Sequence, residues 1–374
     1  MPTAAAPSCT LLVLVCLAGG ACGDDHGGDG AERPPIVWKG EHVQVGTLLE
    51  LDGWCPGTLA RLDDYAAALK DRFHAPEAPI INYYLYAPPL SSHDLCGGNR
   101  ACVVDGDVST PELLDIHELV HAVSATFGSM PHFFEEGAAS YWGRHYAVDF
   151  RGLDIREVLA EHWSSGADPR EYALAAHFTS YLVHTHGDEP YVALLQATSR
   201  DQSRSEFEAT FADILGVSLD QAIDDYEANW PYCDPWAAQS SFYECGRPAT
   251  VVTPGEGTEF DLDISCADPE VVGPSALGFP DRVPRIWRDL TIAVEVDQPS
   301  QIITFDVPAV GEANTVLLEV KRCDSYCGDA STWPIVPDRT EDPNVFVLSG
   351  AAGRYVLRVS RAADDPGPVR FRWQ

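Results

Sequence analysis

Residues 117–121 read His117-Glu118-Leu119-Val120-His121, two imidazoles four positions apart with an acid between them. On an α-helix of 3.6 residues per turn both rings share one face and can reach a single metal ion. Glu118 then projects beside the open coordination position, where a general base can take a proton from water acidified by the metal. Fifteen positions beyond His121, the segment Phe133-Phe134-Glu135-Glu136-Gly137-Ala138 carries a carboxylate able to complete the site. Two imidazoles and one carboxylate suit Zn2+ in a catalytic role, so Zn2+ is the expected cofactor. The five-residue pattern also arises by accident, with its histidines on the surface or in the core of an ordinary helix. Three features favour the metal: an amphipathic helix with a start signal, an acid on a second helical stretch, and an N-terminal export signal.

The elements that must position these residues are legible as periodicities. Ser109-Thr110-Pro111-Glu112 has the form of a helix start, with a hydroxyl cap, a proline in the first turn and an acid at the positive dipole end. Leu113, Ile116, Val120 and Val123 form an apolar stripe that predicts a helix to about residue 127, and Gly128 is a plausible stop. A second helix is expected over 134–146, and helical spacing recurs over 172–186, 189–198, 206–215 and 219–230. Before the motif, residues 36–51 alternate as a strand, 57–73 have helical spacing and 79–86 are β-rich. From residue 249 the texture changes to about seven short alternating runs separated by turn clusters, which suggests an antiparallel β-sandwich. The expected class is therefore α+β and multidomain: an α/β lobe over 35–110, a mainly helical lobe over 111–232, a disulfide-pinned connector over 233–248 and a sandwich over 249–374.

Composition narrows the partners. The chain has 374 residues and a formal net charge of -33, which would repel phosphate backbones and anionic lipid headgroups. Nucleic acid is excluded as a partner; a protein or peptide substrate is what the family resemblance described below implies. Residues 1–22 lack charge and contain an apolar run of signal-peptide length, too short for a permanent span. Gly20-Ala21-Cys22, followed by the Gly/Asp-rich tether of residues 23–34, resembles a bacterial lipoprotein signal in which the cysteine is lipidated. Gly19 stands where an aliphatic residue is usual, and no Lys or Arg precedes the run. The resemblance implies export and an outer-membrane lipid anchor through Cys22; simple secretion is the alternative. Of 11 cysteines, eight lie beyond Cys22, as suits a disulfide framework in an oxidising compartment. Short loops suggest Cys96 with Cys102, Cys233 with Cys245 and Cys323 with Cys327, leaving Cys55 with Cys266. Eight cysteines allow 105 connectivities.

The motif and its sequel resemble the gluzincin metallopeptidases, specifically the peptidase-MA-like proteins. The likeness covers residues 117 to about 230. It rests on His117-Glu118-Leu119-Val120-His121, on Pro131-His132-Phe133-Phe134-Glu135-Glu136-Gly137-Ala138-Ala139-Ser140-Tyr141, on residues 172–182 with His186-Gly187, and on residues 211–220. Phe133 replaces the usual tryptophan and His186 the usual tyrosine. The resemblance implies that His117, His121 and Glu136 hold Zn2+, that Glu135 does not, and that Glu118 is the general base for hydrolysis of a peptide bond. Tyr172 is the first candidate to stabilise the oxyanion and His177 the second, each with a bland alternative as a core aromatic or a helix-surface histidine. Asp115 could orient a ligand histidine, or simply place a charge near the helix start. Glu135 reads as a helix-surface acid, and His132, His145, His162 and His184 read as solvated. The rival function is a cell-envelope binding or scaffold lipoprotein whose metalloprotease-like domain does not cleave.

Overall fold

The computed structural model describes residues 33–87, 96, 100–128, 130–143, 148–161, 163, 168–233, 238–253, 255–275, 283–295, 298–305, 316–324, 327, 338–339, 345–350 and 352–374. The signal, residues 23–32 of the tether, Cys22, His145 and His162 lie outside them. The described chain mixes helices with three sheets, an α+β architecture.

The first sheet has the order β1-β2-β3-β5-β4, from strands β1 (Ile36–Lys39), β2 (Val43–Thr47), β3 (Ile81–Leu85), β4 (Cys102–Val104) and β5 (Asp107–Thr110). Its two inner pairs, β2 with β3 and β3 with β5, are parallel, and each outer pair is antiparallel. Between β2 and β3 runs α1 (Pro56–Arg72), with proline in its first turn and basic residues in its last. Leu62, Tyr65, Ala66 and Leu69, on the buried face of α1, pack in one core with Val43, Val45, Ile81 and Tyr83 of the sheet.

The helices follow: α2 (Ile116–Ser124), α3 (His132–Gly143), α4 (Ile155–Glu161), α5 (Pro169–His186), α6 (Asp188–Ala197), α7 (Arg204–Leu215) and α8 (Leu219–Asn229). Three of them open with reciprocal capping boxes, Asp168 with Glu171, Ser203 with Glu206 and Ser218 with Gln221. A single hydrophobic core extends from Val43 on the sheet to Tyr226 on α8, so the residues on either side of position 110 share one interior.

The motif helix begins later than its sequence suggests. Ser109 and Thr110 remain in β5, paired with Tyr84 and Leu85 of β3, and α2 starts only at Ile116 with Asp115 as its cap. Ladder hydrogen bonds in the sheet outweigh a local cap signal here. α4, with seven residues, had no separate periodic signal.

Beyond α9 (Phe242–Gly246) the chain forms two further sheets. One has the order β12-β13-β10-β15-β7, from β7 (Thr258–Ile264), β10 (Gln298–Phe305), β12 (Asp338–Arg339), β13 (Val345–Gly350) and β15 (Gly367–Trp373). The other has the order β11-β14-β9-β6, from β6 (Thr250–Val252), β9 (Arg285–Val294), β11 (Val316–Arg322) and β14 (Gly353–Ala362), with β8 (Val272–Ser275) also paired to β9. Inward residues of both sheets, among them Leu262, Ile303, Ile292, Leu357, Phe371 and Trp373, form one core. Strands β6, β8 and β12 were not anticipated; each has four residues or fewer, too short to show a period.

Four disulfides join the described cysteines. Cys96–Cys102 and Cys55–Cys266 are as expected. The other two correct the local pairing: Cys233 bonds to Cys327, and Cys245 to Cys323. The connector is thus not closed on itself but stitched to the chain after β11, because α9 lies against β9 and β14 and brings its cysteine to that sheet.

Candidate metal centre

Asp115 anchors the start of α2. Its carboxylate accepts from the Glu118 amide at 3.4 Å and from Thr110 Oγ1 at 2.9 Å, while its own amide donates to the Tyr83 hydroxyl at 2.8 Å. The helix is thereby fixed to β3 and β5, and Asp115 takes the simpler of its two expected roles. His117, Glu118, Leu119, Val120, Ala122 and Val123 are all buried, so α2 is enclosed nearly all round.

α3 delivers the carboxylate because it approaches its neighbours closely. A methyl group on Gly137 would stand 2.8 Å from the Ala175 carbonyl of α5, and one on Gly143 would stand 2.6 Å from Cα of His117. Glycine at both positions lets α3 settle between α2 and α5. Glu136 Oε2 then lies 3.0 Å from Nε2 of His117 and 3.5 Å from Nε2 of His121, and the two Nε2 atoms are 3.2 Å apart. The three donor atoms all fall within 4.8 Å of one another.

These residues fit a cation. Glu136 Oε2 is buried and faces the two imidazole Nε2 atoms, a place where a carboxylate oxygen needs a positive charge, whether an imidazolium proton or a metal ion. The other nitrogens of the histidines are held from outside. Ser140 Oγ lies 3.4 Å from Nδ1 of His117, and Glu135 Oε1 lies 3.6 Å from Nδ1 of His121. An outward Nδ1–H leaves the Nε2 lone pair facing Glu136, the tautomer that a ligand histidine needs.

Charge in the cluster is strongly coupled. Burial pushes the Glu118 carboxyl up to about 7, against the pull of His117 and His121. Burial would raise Glu136 as well, but the facing His121 and His117 hold it well below the usual carboxylate range. His121 is disfavoured as a cation by burial, yet Glu136 and Glu135 keep it well above the ordinary imidazole value. A bound cation would take over the role that the imidazolium plays in these pairs.

Tyr172, in the first turn of α5, has its ring 6.2 Å from both His117 and His132, at the edge of the cluster. His177, the second oxyanion candidate, is not there. It is 1 % exposed, bonds through Nδ1 to the Tyr226 hydroxyl at 2.8 Å, and packs against Phe150 and Tyr232. Five residues separate it from Tyr172, which on a helix turns it well away from that face.

Two residues read as solvated belong to the site. Glu135 pairs with Arg200 at 2.5 Å as well as with His121, so it is a half-buried bridge rather than a surface acid. His132 is partly buried with Nδ1 3.8 Å from Glu136 Oε1. Its i,i+4 relation to Glu136 was the available signal; Arg200, which comes from the loop before α7, offered none. His184 is exposed as expected.

Compared with known proteins, the chain matches no protein-family model, and no curated protein is detectably similar to it.

Proposed function

We propose that this chain is an exported zinc-dependent metallopeptidase of gluzincin type, in which a zincin-type helical lobe carries the reaction and the C-terminal strands form a β-sandwich. The observation that carries this reading is the convergence of one buried donor atom each from His117, His121 and Glu136, with Glu118 buried beside them. In the reading, His117, His121 and Glu136 hold Zn2+, which when bound would polarise a scissile carbonyl and acidify water.

The chain's own residues account for the proton traffic. Glu118 accepts the proton of the attacking water and returns it to the leaving amine, a role that suits a carboxyl raised towards neutrality by burial. Tyr172 supplies a neutral hydroxyl for the developing oxyanion, supported by its ring's place beside His117 and His132. Glu135, held by Arg200, orients His121, and Ser140 orients His117. Four disulfides agree with export, and lipidation at Cys22 would tether the enzyme at the outer membrane.

The test is cleavage of an unfolded protein substrate by wild type and by Glu118→Gln at equal zinc content. The variant is expected to lose about 10²- to 10⁴-fold in kcat, as for removal of a general base. Equal inertness of zinc-loaded wild type and variant across several substrates would replace the enzyme reading by the envelope binding or scaffold protein.

A further inference from the structure

A second group of donor atoms lies apart from the first. One ring nitrogen of His177 and the sulfurs of Cys233 and Cys327 fall within 4.8 Å of one another, and all three residues are buried. The sulfurs are joined as a disulfide, with 5.2 Å between the Cα atoms. His177 Nδ1 is engaged by the Tyr226 hydroxyl, whereas Nε2 is buried and closes no hydrogen bond of normal geometry, the Pro231 carbonyl being the backbone group that interacts with the ring. Phe150, Tyr226 and Tyr232 wall the imidazole.

We propose that His177, Cys233 and Cys327 form a second, redox-gated metal site that binds one thiophilic divalent ion such as Zn2+ only after the Cys233–Cys327 disulfide is reduced. A dithiol reductant delivers two electrons and two protons to the disulfide and closes its own. The S–S bond breaks and two thiols form. As the ion binds, each thiol gives its proton to solvent, and two thiolates with one neutral imidazole supply three soft ligands. Around a tetrahedral ion with bonds of about 2.3 Å, ligand atoms stand about 3.7 Å apart, so a short separation of the sulfurs is enough. The ion then holds the connector to the chain after β11 in place of the covalent bond, and the attachment persists in either redox state. The Cys2His donor set differs in kind from the two histidines and one acid of the first centre.

The experiment titrates the full, chelator-stripped chain with Co2+ under anaerobic conditions, before and after dithiol reduction and removal of the reductant. The oxidised chain shows no thiolate-to-Co2+ charge-transfer absorption. The reduced wild type shows it and binds one more ion than the oxidised chain. Cys233→Ser/Cys327→Ser lacks the extra ion, and reduced His177→Gln binds it about tenfold or more weakly, as expected for the loss of a ligand. No extra ion on the reduced wild type, retention of that ion by the double serine variant, unaltered affinity in His177→Gln, or loss of the far-ultraviolet circular dichroism on reduction would each overturn the proposal. The charge-transfer band reports this site even if the oxidised chain binds no Co2+, so its failure is separable from that of the first centre.

Discussion

Single residues decide whether the first centre can hold an ion and keep its ligands oriented. His117, Glu118 and His121 were legible because helical periodicity places i and i+4 together, and the glutamate that joins them on α3 is the one the family resemblance indicated. Glu135 was not legible as an orienting group, since an acid on an amphipathic helix normally faces water. Only the fold brings Arg200 across to hold it near His121. Removing that support loosens His121 without removing a ligand. Glu135→Gln and Arg200→Met are each expected to weaken zinc binding by about 10-fold, within the usual range for an orienting partner of a metal ligand. A competition titration against a chromophoric chelator reads this, and unchanged affinity in both variants would remove Glu135 and Arg200 from the site.

Elements supply the closeness that makes those residues meet. α2 is fixed to the sheet through Asp115, Thr110 and Tyr83, and α3 approaches it so nearly that Gly143 has no room for a side chain beside the His117 backbone. Gly143→Ala must therefore push α2 and α3 apart, at a cost of about 1–3 kcal/mol typical of overpacking. Chemical denaturation should show that loss, and the same variant should bind zinc more weakly because His117 moves away from Glu136. Wild-type stability together with wild-type zinc affinity would show that α2 and α3 have slack the packing denies. The sequence revealed most helices through capping and periodicity, but it misplaced the start of α2. Ser109 and Thr110 are good cap residues, and nothing local to them reveals that β3 claims their backbone.

At the scale of the whole molecule, the C-terminal sheets are bound to the helical part by covalent and ionic ties that short-range reasoning could not pair. Cys245 and Cys233 sit 12 positions apart, yet each bonds to a cysteine beyond β11. Proximity in sequence guided the expected pairing, whereas contact between α9 and the β9/β14 sheet decides the actual one. At the same junction Arg61 of α1 reaches Glu244 of α9 at 2.8 Å and Asp289 of β9 at 2.6 Å, all three nearly enclosed, and Arg358 of β14 meets Asp289 from the opposite strand at 2.8 Å. No local sequence pattern marks these charges as buried. Arg61→Met removes the cation that Glu244 and Asp289 share and is expected to destabilise the chain by about 3 kcal/mol, the low end for breaking a buried pair, since Arg358 still interacts with both acids. Thermal or urea unfolding within about 0.5 kcal/mol of wild type would show that the cluster adds nothing to the junction. Near it, Leu114, in the loop that leads into α2, packs with Val272 and Trp287, so the C-terminal sheets brace the approach to the candidate metal centre.

The central claim is that His117, His121 and Glu136 share one zinc ion, and metal content measured by plasma mass spectrometry on the purified full chain tests it most directly. After dialysis against a weak chelator, wild type should retain about one zinc per chain, while His117→Ala and Glu136→Gln should each lose most of it. Wild type without zinc, or Glu136→Gln carrying as much as wild type, would contradict the account.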